Sequence, residues 1–127
     1  MAAIIRNPAD PERLWEGLFL VDMSKMNSVV PGRHLDAIGL RPKGQRIYRT
    51  VEGREAVLDI TVADIEVMGE TVGATILYGE ADTEPSLGLT ALASAGIEVD
   101  PTDRKLKRRP AVRLKRVLAG TQQPTPS

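Results

Sequence analysis

The sequence predicts an all-β protein, rich in strands and with two short helices. Three observations predict it. Apolar residues alternate with a period of two through Leu58, Ile60 and Val62 and again through Val72, Ala74 and Ile76. Turn-forming clusters such as Asn7-Pro8-Ala9-Asp10-Pro11, Glu52-Gly53 and Gly69-Glu70 interrupt the apolar runs at short intervals. Only two stretches carry helical spacing, and a glycine stops each of them.

Composition narrows the class further. The chain of 127 residues is about one domain long, and 42% of it is apolar but only 3% aromatic, so the core must be built from Val, Ile, Leu and Ala. Cysteine is absent, which excludes disulfides, thiolate zinc sites and cysteine nucleophiles and fits a reducing compartment. Met1-Ala-Ala-Ile-Ile-Arg6 is too short and too soon charged for a signal peptide, and no apolar run approaches the ~18 residues of a membrane span. The expectation is a soluble, cytoplasmic protein with no membrane contact.

Zero net charge hides an asymmetry. All 17 acidic residues lie at or before Asp103 with 9 of the 17 basic ones, whereas residues 104–127 hold the other 8 basic residues and no acid. The body is acidic and the tail basic.

Taken in order, Ala2 to Arg6 reads as a short edge strand. Asn7-Pro8-Ala9-Asp10-Pro11 closes it and should hold no regular structure. Trp15 to Val21 is the next strand, and Ser28-Val29-Val30 another, ending at Pro31. Gly32 to Ile38 fits a helix with Leu35 and Ile38 inward, stopped at Gly39. Gln45–Val51 and Arg54–Ile60 form the arms of a hairpin with Glu52-Gly53 at its tip. The alternation changes phase at Ala63-Asp64, where Ile65 and Val67 follow Val62, and predicts a bulge or a bend there. Gly69-Glu70 turns the chain into the strand of Val72, Ala74 and Ile76. Leu89 to Ala95 is the second helix, stopped at Gly96; Ile97-Glu98-Val99 and Lys105 to Lys107 are the last strands. Thr121 to Ser127 has a disordered composition. The two helical stretches share a pattern of apolar helix, glycine and apolar re-entry at a spacing of 57 residues, as an internal duplication would.

One residue stands apart. In Leu18-Phe19-Leu20-Val21-Asp22 an apolar run ends in a carboxylate, and Asp is depleted in strands and rarely buried without a partner. Asp22 is either a solvated turn residue or a group held for chemistry. The lone histidine, His34, falls on the first helix, where a solvated position is expected; one histidine excludes His-pair metal sites, and with its place on that helix a Ser-His-Asp triad. No metal and no cofactor is implied.

The order of these pieces resembles a known family. An apolar strand ending in Asp22, then Val29-Val30-Pro31, a short helix into Gly39-Leu40, a polar hairpin, Leu87-Gly88, and Ile97-Glu98-Val99-Asp100-Pro101 is similar to the retropepsin-like (clan AA) aspartic proteases, and most to their small bacterial and archaeal members. The likeness covers residues 15–108. It implies a half-barrel closed as a homodimer and a single domain over 1–108, beyond which composition gives residues 109–127 as a basic, then disordered, tail. It also implies a catalytic Asp22 from each subunit, and a flap at about Arg49 to Ala56 whose Val51, Glu52 and Gly53 close over an extended peptide. Two carboxylates about 3 Å apart share one proton, so one activates water while the other protonates the peptide carbonyl. Leu87-Gly88 would lie beneath the site.

The departure from the family lies in the motif. Its Asp-Thr-Gly or Asp-Ser-Gly is Asp22-Met23-Ser24-Lys25 here. Met23 has no hydroxyl to bond across the dimer, Ser24 places a side chain where glycine lets the backbone pass, and Lys25 favours an ionised carboxylate. The resemblance therefore implies an aspartic endopeptidase scaffold with impaired activity, or a non-catalytic dimer that holds extended peptides. A third reading, a basic-tailed nucleic-acid-binding module, rests on Arg104 to Arg116 and is weakened by the lack of interleaved aromatics.

Overall fold

The computed structural model describes residues 1–49, 52–100, 102 and 105–108. The chain forms two compact units, Met1–Ile97 and Glu98–Ser127.

In the first unit the described strands are β1 (Ala2–Asn7), β2 (Asp10–Leu18), β3 (Leu20–Val21), β4 (Ser28–Pro31), β5 (Gly44–Arg49), β6 (Glu55–Val67), β7 (Glu70–Gly79) and β8 (Ser86–Leu87). Helix α1 (Gly32–Ala37) follows β4, and α2 (Leu89–Ser94) follows β8. The sheet runs β2-β1-β6-β7-β4-β8-β3 and curls into a half-barrel. β5 pairs with the outer half of β6, from Gly44 opposite Ile60 to Arg49 opposite Glu55. Ile60 also pairs with Leu77 of β7, so β5 continues the edge of β6 that β1 occupies farther along. One long strand thereby belongs to the body at one end and to a projecting hairpin at the other.

β6 carries no bulge. Its register with β7 is unbroken from Ile60 opposite Leu77 to Val67 opposite Glu70. The phase change in the sequence instead records a change in which face is covered. Leu58 and Ile60 pack on one face with Val29, Leu77 and Tyr48. Thr61, Ala63, Ile65 and Val67 are buried on the other, where Ile65 lies opposite Ile5 and both are fully enclosed. Each such isoleucine contributes about 1.5–3 kcal/mol of burial.

Two further expectations are corrected. β1 is not an edge strand but lies between β2 and β6, with Ala3, Ile5 and Asn7 buried. The Asp10-Pro11 segment is regular after all, as the start of β2, because the free edge of an outermost strand tolerates a residue without an N–H. The hairpin turn at Met68-Gly69 holds both residues at positive φ, 51° and 80°, which is the primed geometry that matches strand twist.

Both helices stand where expected. α1 turns Leu35 and, at its C-cap, Ile38 inward and stops at Gly39 (φ +83°); α2 buries Ala91 and Leu92 and stops at Gly96 (φ +72°). These glycines occupy the left-handed conformation that ends helices at least cost. β9 (Ile97–Val99) and β10 (Leu106–Arg108) form a separate two-stranded ribbon, with Lys107 placed 3.7 Å from Glu98 and 3.5 Å from Asp100. The expected disorder of Thr121 to Ser127 lies outside the described residues.

Candidate active site

Asp22 is positioned by backbone pairing. β3 runs parallel to β8, with Val21 opposite Leu87, and the Asp22 N–H donates to the Leu87 carbonyl at 3.0 Å. The loop 22–27 then folds over the start of α2. The Lys25 and Met26 carbonyls accept from the N–H groups of Leu89 (2.8 Å) and Thr90 (3.1 Å), which satisfies donors that a helix start leaves unpaired. Ser28 Oγ, buried, accepts from the Gly88 N–H at 3.0 Å. At Gly88 a Cβ would lie 2.6 Å from the Asn27 carbonyl carbon and oxygen, so only glycine fits against that backbone. Leu87-Gly88 is thus the support on which the loop rests.

The carboxylate of Asp22 is turned back on its own loop. Its Oδ1 accepts from the Ser24 N–H at 3.0 Å and the Ser24 hydroxyl at 2.5 Å, and Lys25 Nζ stands 3.8 Å from Oδ2. The Ser24 hydroxyl and N–H hold the Asp22 pKa below its ordinary 3.8, Lys25 adds to the effect, and slight desolvation opposes it. Among the described non-glycine residues only Met68 has positive φ, so Ser24 replaces glycine without left-handed strain. Met23 and Met26 are exposed on the surface of this loop.

The hairpin of β5 and β6 reaches the loop through a contact that the sequence did not disclose. Asn27 Nδ2 donates to the Tyr48 hydroxyl at 3.1 Å. Between the loop, Tyr48 and Arg49, Leu58 and Glu80 lies a cavity of about 490 Å³ with Val29 and Leu77 in its wall. Of the expected flap residues, Val51 lies outside the described residues, and Glu52 and Gly53 are exposed at the tip, Gly53 at φ +86°. Arg49 braces that tip, donating to the Gly53 carbonyl at 3.3 Å and lying 3.8 Å from Glu55. Among the described residues no hydrogen bond joins Glu52 or Gly53 to the Asp22 loop. Asn27 and Tyr48 carry no motif by which the sequence could have singled them out.

His34 is half-buried rather than fully solvated. Its ring stacks on Trp15, centroids 4.3 Å apart and 13° from parallel. Among the described residues no three His, Asp or Glu side chains are placed to hold a metal ion, and no helix is long and apolar enough to cross a membrane.

No known family profile and no curated protein matches this sequence. Among solved structures, the solution structure of the simian foamy virus (mac) protease superposes with a TM-score of 0.53 at 20% identity, over 73% of this chain and 90% of that one. Strand content, the two short helices and this superposition define the class: the fold is that of the retropepsin-like proteases.

Proposed function

We propose that this protein is a dimeric retropepsin-like scaffold that holds extended peptide segments beneath the β5–β6 hairpin, with Asp22 at the catalytic position and hydrolysis impaired. The observation that carries this reading is the bonding of Asp22. An aspartic dyad works by sharing one proton between two carboxylates, whereas Ser24 N–H, Ser24 O–H and Lys25 all favour the fully ionised form. Met23 adds an apolar surface where the family has a cross-dimer hydroxyl. Strand addition beneath the hairpin would supply main-chain affinity for a peptide, and side chains would enter the cavity beside Tyr48 and Leu58. A cytoplasmic setting accords with the cysteine-free chain. The basic run from Arg104 is read as packing against acidic protein surface rather than nucleic acid.

The test is cleavage of a diverse peptide pool from about pH 3 to about pH 7. The wild type is expected to cleave slowly or not at all. The triple variant Met23→Thr, Ser24→Gly, Lys25→Ala should gain cleavage, lost again on adding Asp22→Asn. Rapid cleavage by the wild type would overturn the impairment. Silence of a folded triple variant would overturn the placement of the catalytic position.

A further inference from the structure

A second groove lies on the first unit. One wall is the β1–β2 turn at Pro8 and Ala9, the other the α1–β5 connection from Gly39 to Lys43, and Val62 of β6 lies between them; the enclosed volume is about 590 Å³. It shares no lining residue with the cavity beside Tyr48.

The walls are fixed from within. Asn7 is 8% exposed, and its side chain spans both: Nδ2 donates to the Ile38 carbonyl and Oδ1 accepts from the Ala9 N–H, each at 2.9 Å. Thr61 Oγ1 donates to the Arg41 carbonyl at 2.9 Å, and the Lys43 N–H to the Ile60 carbonyl at 2.8 Å, so the second wall is tied to β6. A groove held this way loses little further freedom when occupied.

Its chemistry is of one sign. Arg41 and Lys43 line it, and the Arg13 guanidinium packs over Gly39, where a Cβ would come within 2.5 Å of its Nη1. No acidic residue lines the groove, and none of these three cations makes an ion pair among the described residues. Between them lies apolar surface from Pro8, Leu40, Pro42 and Val62, and Val62 is 45% exposed between the buried Thr61 and Ala63. No aromatic residue lines it, so a base has nothing to stack on.

We infer that this groove docks an extended acidic segment of a partner protein, its carboxylates taken by Arg41 and Lys43 and an aliphatic or prolyl side chain set on Val62. Charge complementarity selects the acidic partner, and the apolar floor selects a peptide over a free anion.

The test uses the full chain and two fluorescent synthetic peptides, one alternating Glu with Leu and Pro and the other with Lys for Glu, read by anisotropy. The Glu peptide is expected to bind the wild type, more weakly as salt rises, and to shift the amide resonances of Ala9, Gly39 and Leu40. Because Arg41 and Lys43 are exposed, the double variant Arg41→Glu, Lys43→Glu should fold, lose about tenfold or more in Glu-peptide affinity and gain affinity for the Lys peptide. Val62→Glu should weaken the Glu peptide by a similar route. The basic stretch from Arg104 is the same in every variant. The inference is overturned if the wild type binds neither peptide or both equally, if charge reversal leaves Glu-peptide binding unchanged, or if the shifts centre on Asn27 and Tyr48.

Discussion

Asp22 and Gly88 sit at matching positions, each one residue past the paired ends of β3 and β8, yet their surroundings constrain them in opposite ways. Gly88 is buried, its N–H is taken by Ser28 Oγ, and the Asn27 backbone stands where a Cβ would go. Asp22 has a side chain one-third exposed, and its immediate neighbours Met23, Ser24 and Lys25 are exposed. One position is locked by its packing and the other is open to solvent. The side chains of Met23, Ser24 and Lys25 can therefore vary without loss of the scaffold. These three side chains face solvent, while the backbone bonds of Lys25 and Met26 to α2 are indifferent to side-chain identity.

The strongest way to break this contrast is Gly88→Ala. Its Cβ must displace backbone rather than the end of a flexible side chain, so a loss of about 3 kcal/mol in unfolding free energy is expected. Denaturant titration measures it. A loss below about 1 kcal/mol would mean that loop 22–27 moves aside freely, and that the support is not rigid.

The sequence disclosed the support better than the site. Both helices were legible because a glycine in the left-handed conformation ends each, a local requirement written in local residues. Gly88 was legible only through the family pattern, since its φ of −91° suits any residue and its need for glycine comes from Asn27, far away in sequence. The change of covered face along β6 imitated a bulge because period-two counting cannot separate a shifted register from a change in which face is buried. Around Ile60 and Thr61 both faces are buried at once. Asp22 could be placed by its apolar run, but its bonding could not. The closeness of Ser24 Oγ and the 21-residue separation of Asn27 from Tyr48 are products of the folded loop.

Asp22→Asn probes the other half of the contrast and should cost less than Gly88→Ala. The Asn carbonyl still accepts from Ser24, and what disappears is the charge and its attraction to Lys25. Because the folded pKa lies below 3.8, the stabilisation from the carboxylate is complete above that value and is lost as pH falls through the folded pKa. The difference between wild type and variant should be small at neutral pH and vanish under strong acid. A neutral-pH loss equal to that of Gly88→Ala would show that the loop carboxylate supports the fold as well.

The smallest expected effect lies at His34, which titrates in a separate window. Burial against Trp15, and then the neighbouring Arg33, push its pKa below 6.5. Above 6.5 the imidazole is neutral folded or unfolded and stability is at its full value. Below 6.5 the unfolded chain takes up the proton first, so stability declines until the folded pKa is passed. Trp15 is the only tryptophan, so its fluorescence reports protonation of the stacked ring directly. His34→Gln should remove both the mildly acidic decline and the fluorescence titration, leaving the strongly acidic change of Asp22 intact. Since an aspartic dyad needs acid to hold its shared proton, any cleavage by the triple variant would be measured in the range where His34 is charging. Its replacement then becomes the control that separates loss of fold from gain of chemistry. A wild-type fluorescence signal flat through that range would show that the Trp15–His34 stack opens without regard to charge.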